Sequence, residues 1–189
     1  NLALIAHGGQ RYEKAGNQGL FNAMASLLCV ATETCGQREL AEFLDLKAAE
    51  FEGFSGKDSL GITLSCLADK TAELLPWLRD LWQRPVFPKD YWQTLKVQLF
   101  ETLKAHQDSP SRQCLRYFRE ELYPKNPYGF NLIGSEETIA LFAADPLLQQ
   151  FQQHADEQRW IMTSVGPWSG EEMQEHLGRI FSQENRRPR

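Results

Sequence analysis

Between Gly16 and Thr32, apolar residues recur at i, i+3, i+4, i+7, i+8 and i+11, on Leu20, Ala23, Met24, Leu27, Leu28 and Ala31. That spacing describes one face of an α-helix. No Pro, Gly or charged residue interrupts the run from Leu20 to Thr32. The pattern therefore predicts a buried central helix, entered through a turn framed by Gly16 and Gly19, with weakly polar Asn22 and Ser26 on its second face. Ahead of it, residues 2 to 8 are mostly apolar on both faces of an extended chain and end at Gly8-Gly9, which predicts a strand.

Further along, Thr34-x-x-Gln37 has the form of a capping box. It opens an amphipathic helix to about Glu50, carried by Leu40, Ala41, Phe43, Leu44 and Ala48. Residues 51 to 67 predict a hairpin: Lys57-Asp58 lies at the turn, and Leu60, Ile62, Leu64 and Cys66 alternate with Thr63 and Ser65. Asp58 belongs to that turn chemistry and has no His near it in sequence. A helix is expected over 68–84, with Ala72, Leu75, Leu78 and Leu81 inward and a kink at Pro76. Pro85-Val86-Phe87-Pro88 reads as a rigid connector. A longer helix over 90–106 turns Leu95, Leu99, Phe100 and Leu103 to one side. The next starts at Ser109-Pro110 and carries Cys114, Leu115, Phe118 and Leu122.

Residues 123–129 form an ordered loop, and Ser135 is an N-cap. Two short helices then lead to a strand over 159–165. Ser169-x-x-Glu172, a second capping box, opens a last helix through Phe181. This order predicts an α+β fold, a small and mainly antiparallel sheet covered by helices.

Composition narrows the function classes. The chain has 189 residues, 42% hydrophobic and 24% charged, with 5 Trp. Those values suit one folded domain, expected over 1–183, with a tail or linker over 184–189. A net charge of −5 gives no support for nucleic-acid binding. The one basic cluster, Arg186-Arg187-Pro188-Arg189, reads as part of the tail. No run approaches the roughly 18 to 20 apolar residues of a membrane helix. The chain opens in a strand without an initiator Met, so it reads as a piece of a longer protein, and its compartment, cytoplasmic or periplasmic, stays open. Cys29, Cys35, Cys66 and Cys114 form no C-x-x-C pair, and Cys29 and Cys66 read as small core residues. His7 reads as a strand-end residue; His106, His154 and His176 read as surface residues. No Walker loop, dinucleotide fingerprint or nucleophile elbow is present.

The ordered set His7-Gly8-Gly9-Gln10-Arg11-Tyr12-Glu13, Gly16-x-x-Gly19-Leu20, Ala31-Thr32, Arg38-Glu39-Leu40, Pro85-Val86-Phe87-Pro88, Asp108-Ser109-Pro110, Pro127-Tyr128-Gly129 with Gly134, and Val165-Gly166 resembles the pitrilysin-type, or insulysin-like, zinc metallopeptidase family. The resemblance covers almost the whole chain and implies a LuxS/processing-peptidase-like fold. In catalytic members one helical turn supplies H-x-x-E-H, two imidazoles at i and i+4 with a carboxylate beside the second, and a later helix supplies a Glu. Here the three slots of the turn hold Asn22, Ala25 and Ser26, and alignment on Asp108-Ser109-Pro110 puts the fourth at Thr102. An amide, a methyl and two hydroxyls are poor zinc ligands, and none is a base near neutral pH.

The resemblance thus implies the inactive, non-zinc-binding domain of a bacterial zinc protease, with no catalytic residue, metal or cofactor of its own. It also implies a catalytic partner domain, on the same or another chain, that carries the zinc. The two would enclose a chamber for unfolded peptides, this domain lending apolar packing surface and an exposed strand edge. Two alternatives stand beside that reading: an active zinc endopeptidase domain, and a structural subunit of a larger complex.

Overall fold

The computed structural model of the chain describes residues 1–157 and 159–181; the tail expected at 184–189 lies outside them. Strand β1 (Leu2–His7) is followed by α1 (Leu20–Leu28), β2 (Ala31–Thr32), α2 (Gln37–Lys47) and the hairpin β3 (Glu50–Ser55) and β4 (Ser59–Ser65). Then come α3 (Thr71–Gln83), β5 (Pro85–Val86), α4 (Lys89–Gln107) and α5 (Pro110–Leu122). The order closes with α6 (Glu136–Leu141), α7 (Ala144–Glu157), β6 (Trp160–Ser164) and α8 (Gly170–Phe181).

β3, β4, β1 and β6 form one sheet in that order, each pair antiparallel. The register aligns Leu4 with Ile62 on one side and Met162 on the other, and Phe51 with Leu64. Because side chains alternate across a strand, this brings Leu2, Leu4, Ala6, Phe51, Leu60, Ile62 and Leu64 to one face, where all are buried. α1 lies on that face over β3 and β4. The core continues through α3 and α7, where the Phe151 ring meets Trp82 edge-on with centroids 5.3 Å apart. On the reverse face Ala3, Ile5, Phe54 and Thr63 are half-buried and Ile161 is exposed. The mixed helix and antiparallel-sheet architecture is the one the patterning predicts.

Several local expectations differ. Thr34 does not cap α2: its hydroxyl meets that of Thr32 at 3.3 Å, and Gly36 is the N-cap. α1 stops at Leu28, and the chain leaves it as β2, which pairs antiparallel with β5. The Pro85-Val86 connector is therefore a short strand; two residues carry no period to read, and Pro sits at the first strand position, where it is tolerated. In α3 the inward residues are Leu74, Leu75, Leu78, Leu81 and Trp82, whereas Ala72 is exposed. The cysteine in the core is Cys35, with Cys29 and Cys66 half-buried. The apolar residues that α5 carries, Cys114, Leu115, Phe118 and Leu122, are exposed.

Other caps form as read. Ser135 Oγ accepts from the Thr138 N–H, and Thr138 Oγ1 accepts from the Ser135 N–H. Ser169 and Glu172 make the reciprocal pair ahead of α8.

Candidate functional site

α1 and the chain that leads into it are closely held by the rest of the fold. A Cβ built on Gly53 would fall 2.0 Å from the Ala25 carbonyl oxygen, so the helix backbone sits against β3 as closely as a glycine permits. Gly19, the α1 N-cap, has φ 84° and lies against the Ile133 carbonyl.

Just upstream, Glu13 is buried at 3% exposure. Its Oε2 accepts the Gly19 N–H at 2.9 Å and its Oε1 the Phe21 N–H at 3.0 Å. These N–H groups belong to the helix N-terminus, where the first turn lacks internal partners. Burial pushes the Glu13 carboxyl up to about 7, against the opposing pull of the N–H groups of Phe21, Gly19 and Leu20. Gln10, also buried, donates through Nε2 to the Phe130 carbonyl. Thr138 Oγ1 donates to the Gln18 carbonyl at 2.8 Å. The entry to α1 is thereby tied to residues 130–138 of the later chain.

Asn22, Ala25 and Ser26, which the resemblance aligns with the motif turn, sit together on α1. Ala25 is buried toward β3, and Asn22 and Ser26 are half-buried. The Ser26 hydroxyl donates to the Asn22 carbonyl at 2.9 Å. Thr102 lies on the exposed side of α4, and its hydroxyl donates to the Gln98 carbonyl at 2.8 Å. Both hydroxyls are thus spent on the carbonyl one turn back along their own helix. The structure groups Asn22, Ala25 and Ser26 on one turn and does not enclose Thr102 with them in a buried site. Such a donor set does not fit a zinc ion, which takes imidazole, thiolate or carboxylate. Among the described residues no group of three or more His, Cys, Asp or Glu could hold a metal.

The histidines are more embedded than sequence suggests. The His154 Nε2 donates to the His7 carbonyl at 2.7 Å, and its ring meets those of Tyr12 and Phe21 edge-on. His176 packs against Trp168. Burial and the neighbouring Arg112 hold His106 below its usual range. Asp58 accepts from the Tyr128 hydroxyl and pairs with Arg11 at 3.5 Å, which fastens the hairpin turn to the 127–129 loop.

A cavity of about 580 Å³ opens near the C-terminal end of α4, lined by Gln18, Leu103, His106, Arg116, Glu120 and Glu137 among others. Its lining carries both acidic (Glu120, Glu136, Glu137) and basic (Arg116, Lys125) side chains, so it selects no single charge.

The sequence model of Insulinase (Peptidase family M16) matches residues 1–136. The chain belongs to the M16 peptidase family.

An uncharacterised zinc protease of Rickettsia bellii (strain RML369-C) is 22% identical over 181 residues, 96% of this chain and 44% of the relative. Among solved structures, a protease from Helicobacter pylori superposes with a TM-score of 0.84 at 14% identity, over 100% of this chain and 46% of that one. The M16 inactive domain from Pseudomonas fluorescens gives 0.81 at 19% identity, over 96% and 44%. The chain therefore has the M16 fold and spans less than half the length of these relatives. Glu13 and Gln10 escaped the sequence reading as functional positions, because a lone acid or amide ahead of a helix carries no spacing signal. The one usable hint is an acid six residues before the Gly19-Leu20 helix start.

Proposed function

We propose that this chain is a non-catalytic M16 domain that works beside a zinc-bearing M16 domain, on the same or another polypeptide, to hold unfolded peptides for cleavage. The observation that carries this reading is the chemistry of the motif turn. The family fold is retained around α1, while the positions that the resemblance aligns with the family's ligands hold Asn22, Ala25, Ser26 and Thr102, and the hydroxyls of Ser26 and Thr102 bond within their own helices. The similarity to an inactive M16 domain of Pseudomonas fluorescens supports it.

The contribution to peptide holding rests on β3. It is an outer strand of the sheet, pairing on one side with β4, and it runs directly beneath α1. An outer strand presents unpaired N–H and C=O groups that an extended peptide can join by strand addition. In this role the zinc, the activated water and the bond-breaking step belong to the partner.

The test combines this chain with an H-x-x-E-H-bearing M16 domain from the same genome and follows hydrolysis of an unfolded fluorogenic peptide. The chain alone is expected to cleave nothing, and its addition is expected to raise the partner's rate. Cleavage by the chain alone, or a partner rate indifferent to it, contradicts the proposal.

A further inference from the structure

β3 carries its charge on one face only. Side chains alternate across a strand, so Phe51 and Gly53 turn toward the core and α1, while Glu50, Glu52 and Phe54 line the reverse face. Glu50 and Glu52 are exposed, with Cα atoms about 7 Å apart along the strand. The register gives neither of them a cation: β4 sets Ser65 opposite Glu50 and Thr63 opposite Glu52. Lys47, three residues before Glu50, is already paired with Glu73 at 2.7 Å. Among the described residues no basic side chain forms an ion pair with either carboxylate. Hydroxyl residues of β4 thus occupy one flank of the pair, and the other flank is the outer edge of the sheet.

The end of α1 above this edge adds no positive charge. Leu28 lies against Gly53, and the last turn of α1 holds no basic residue. A helix C-terminus is itself partly negative. Burial, together with the charge of Glu52, pushes the Cys29 thiol up.

We infer that Glu50 and Glu52 make the β3 edge selective for extended peptides that carry Lys or Arg at alternate positions, an inference that rests on the proposed docking of peptide at β3. A strand added to this edge sets one face of its side chains directly across from both carboxylates, with Cβ atoms about 4.5–5.5 Å apart. Opposite charges in such pairs attract and like charges repel. Basic residues at i and i+2 meet both carboxylates, whereas two adjacent ones point to opposite faces and meet only one. The same rule disfavours a second copy of β3, which, paired antiparallel about Phe51, sets Glu50 against Glu52.

The test measures binding of labelled, unstructured peptides of about ten residues to the whole chain by fluorescence anisotropy at low salt, where exposed charges are least screened. Three peptides differ only in carrying Lys at i and i+2, Lys at i and i+1, or Glu at i and i+2. A fourth repeats the first with N-methylated backbone amides, which cannot donate to a strand edge. The alternate-Lys peptide is expected to bind about tenfold more tightly than the Glu peptide and about threefold more tightly than the adjacent-Lys peptide. Its N-methylated form is expected not to bind. Replacing both acids, E50Q with E52Q, is expected to bring the alternate-Lys and Glu peptides to within about twofold of each other. Lys and Glu peptides that bind equally, or a preference that survives the double substitution, overturn the inference and leave peptide docking at β3 standing. Equal binding by the two Lys spacings does the same, since net charge alone then attracts the peptide. Binding that N-methylation leaves intact, or no binding of any peptide, overturns the docking at β3 and the inference with it.

Discussion

Glu13 offers the sharpest quantitative test, because its carboxyl is sealed in the protein and accepts the Gly19 and Phe21 N–H groups at the start of α1. Burial raises it from 4.5 to about 7. Between those values the folded chain holds a proton that the unfolded chain has released, so stability falls as pH rises. The contribution is fully present below about pH 4.5 and is lost as pH rises through about 7. At about 1.4 kcal/mol per pKa unit, the loss approaches about 3 kcal/mol once Glu13 is ionised in both states. Glu13→Gln removes the titration. It also leaves an amide –NH₂ facing one of the helix N–H groups, which costs about 1–3 kcal/mol at low pH. Urea unfolding of both proteins at several pH values from 5 to 8 isolates the effect, since every other titrating group is shared. The stability gap favouring the native protein at pH 5 is predicted to shrink by about 2–3 kcal/mol by pH 8. A gap that is constant with pH, or that widens, refutes the account of Glu13 as a desolvated acid.

Other consequences are simpler to check. Gly53→Ala is expected to destabilise the chain by about 1–3 kcal/mol, read by thermal melting, because the added methyl meets the Ala25 carbonyl. Phe151→Ala removes a ring that is 1% exposed and packed on Trp82, and should cost about 3–5 kcal/mol in chemical denaturation. Ser135→Ala breaks a reciprocal cap and should cost about 1 kcal/mol. Ser26→Ala should change stability by less than about 0.5 kcal/mol and leave the partner's peptide cleavage unaltered, because the hydroxyl bonds only to its own helix.

The long elements were legible because their periods are long. α1, α3, α4 and the β3–β4 hairpin each show enough repeats of 3.6 or 2 for the pattern to exceed chance. The α2 cap was misread because Thr34 found a nearer partner in Thr32 and Gly36 took the N-cap position. α5 formed where it was read, from Pro110 to Leu122. Its apolar stripe correctly announced a helix, but periodicity cannot say whether the stripe meets this chain's own core or another body. In the candidate site, the residue types at Asn22, Ala25, Ser26 and Thr102 could be read from the sequence alone. The holding of α1 by Glu13 could not, since it depends on a burial that only the folded chain creates.

The central claim is that the α1 turn generates no metal-activated hydroxide. The direct measurement is zinc content: the purified chain, incubated with excess zinc and dialysed, is weighed by native mass spectrometry and assayed for metal. The account predicts the mass of the polypeptide alone. One tightly held zinc per chain, lost on replacement of residues in or near the α1 turn, would contradict it.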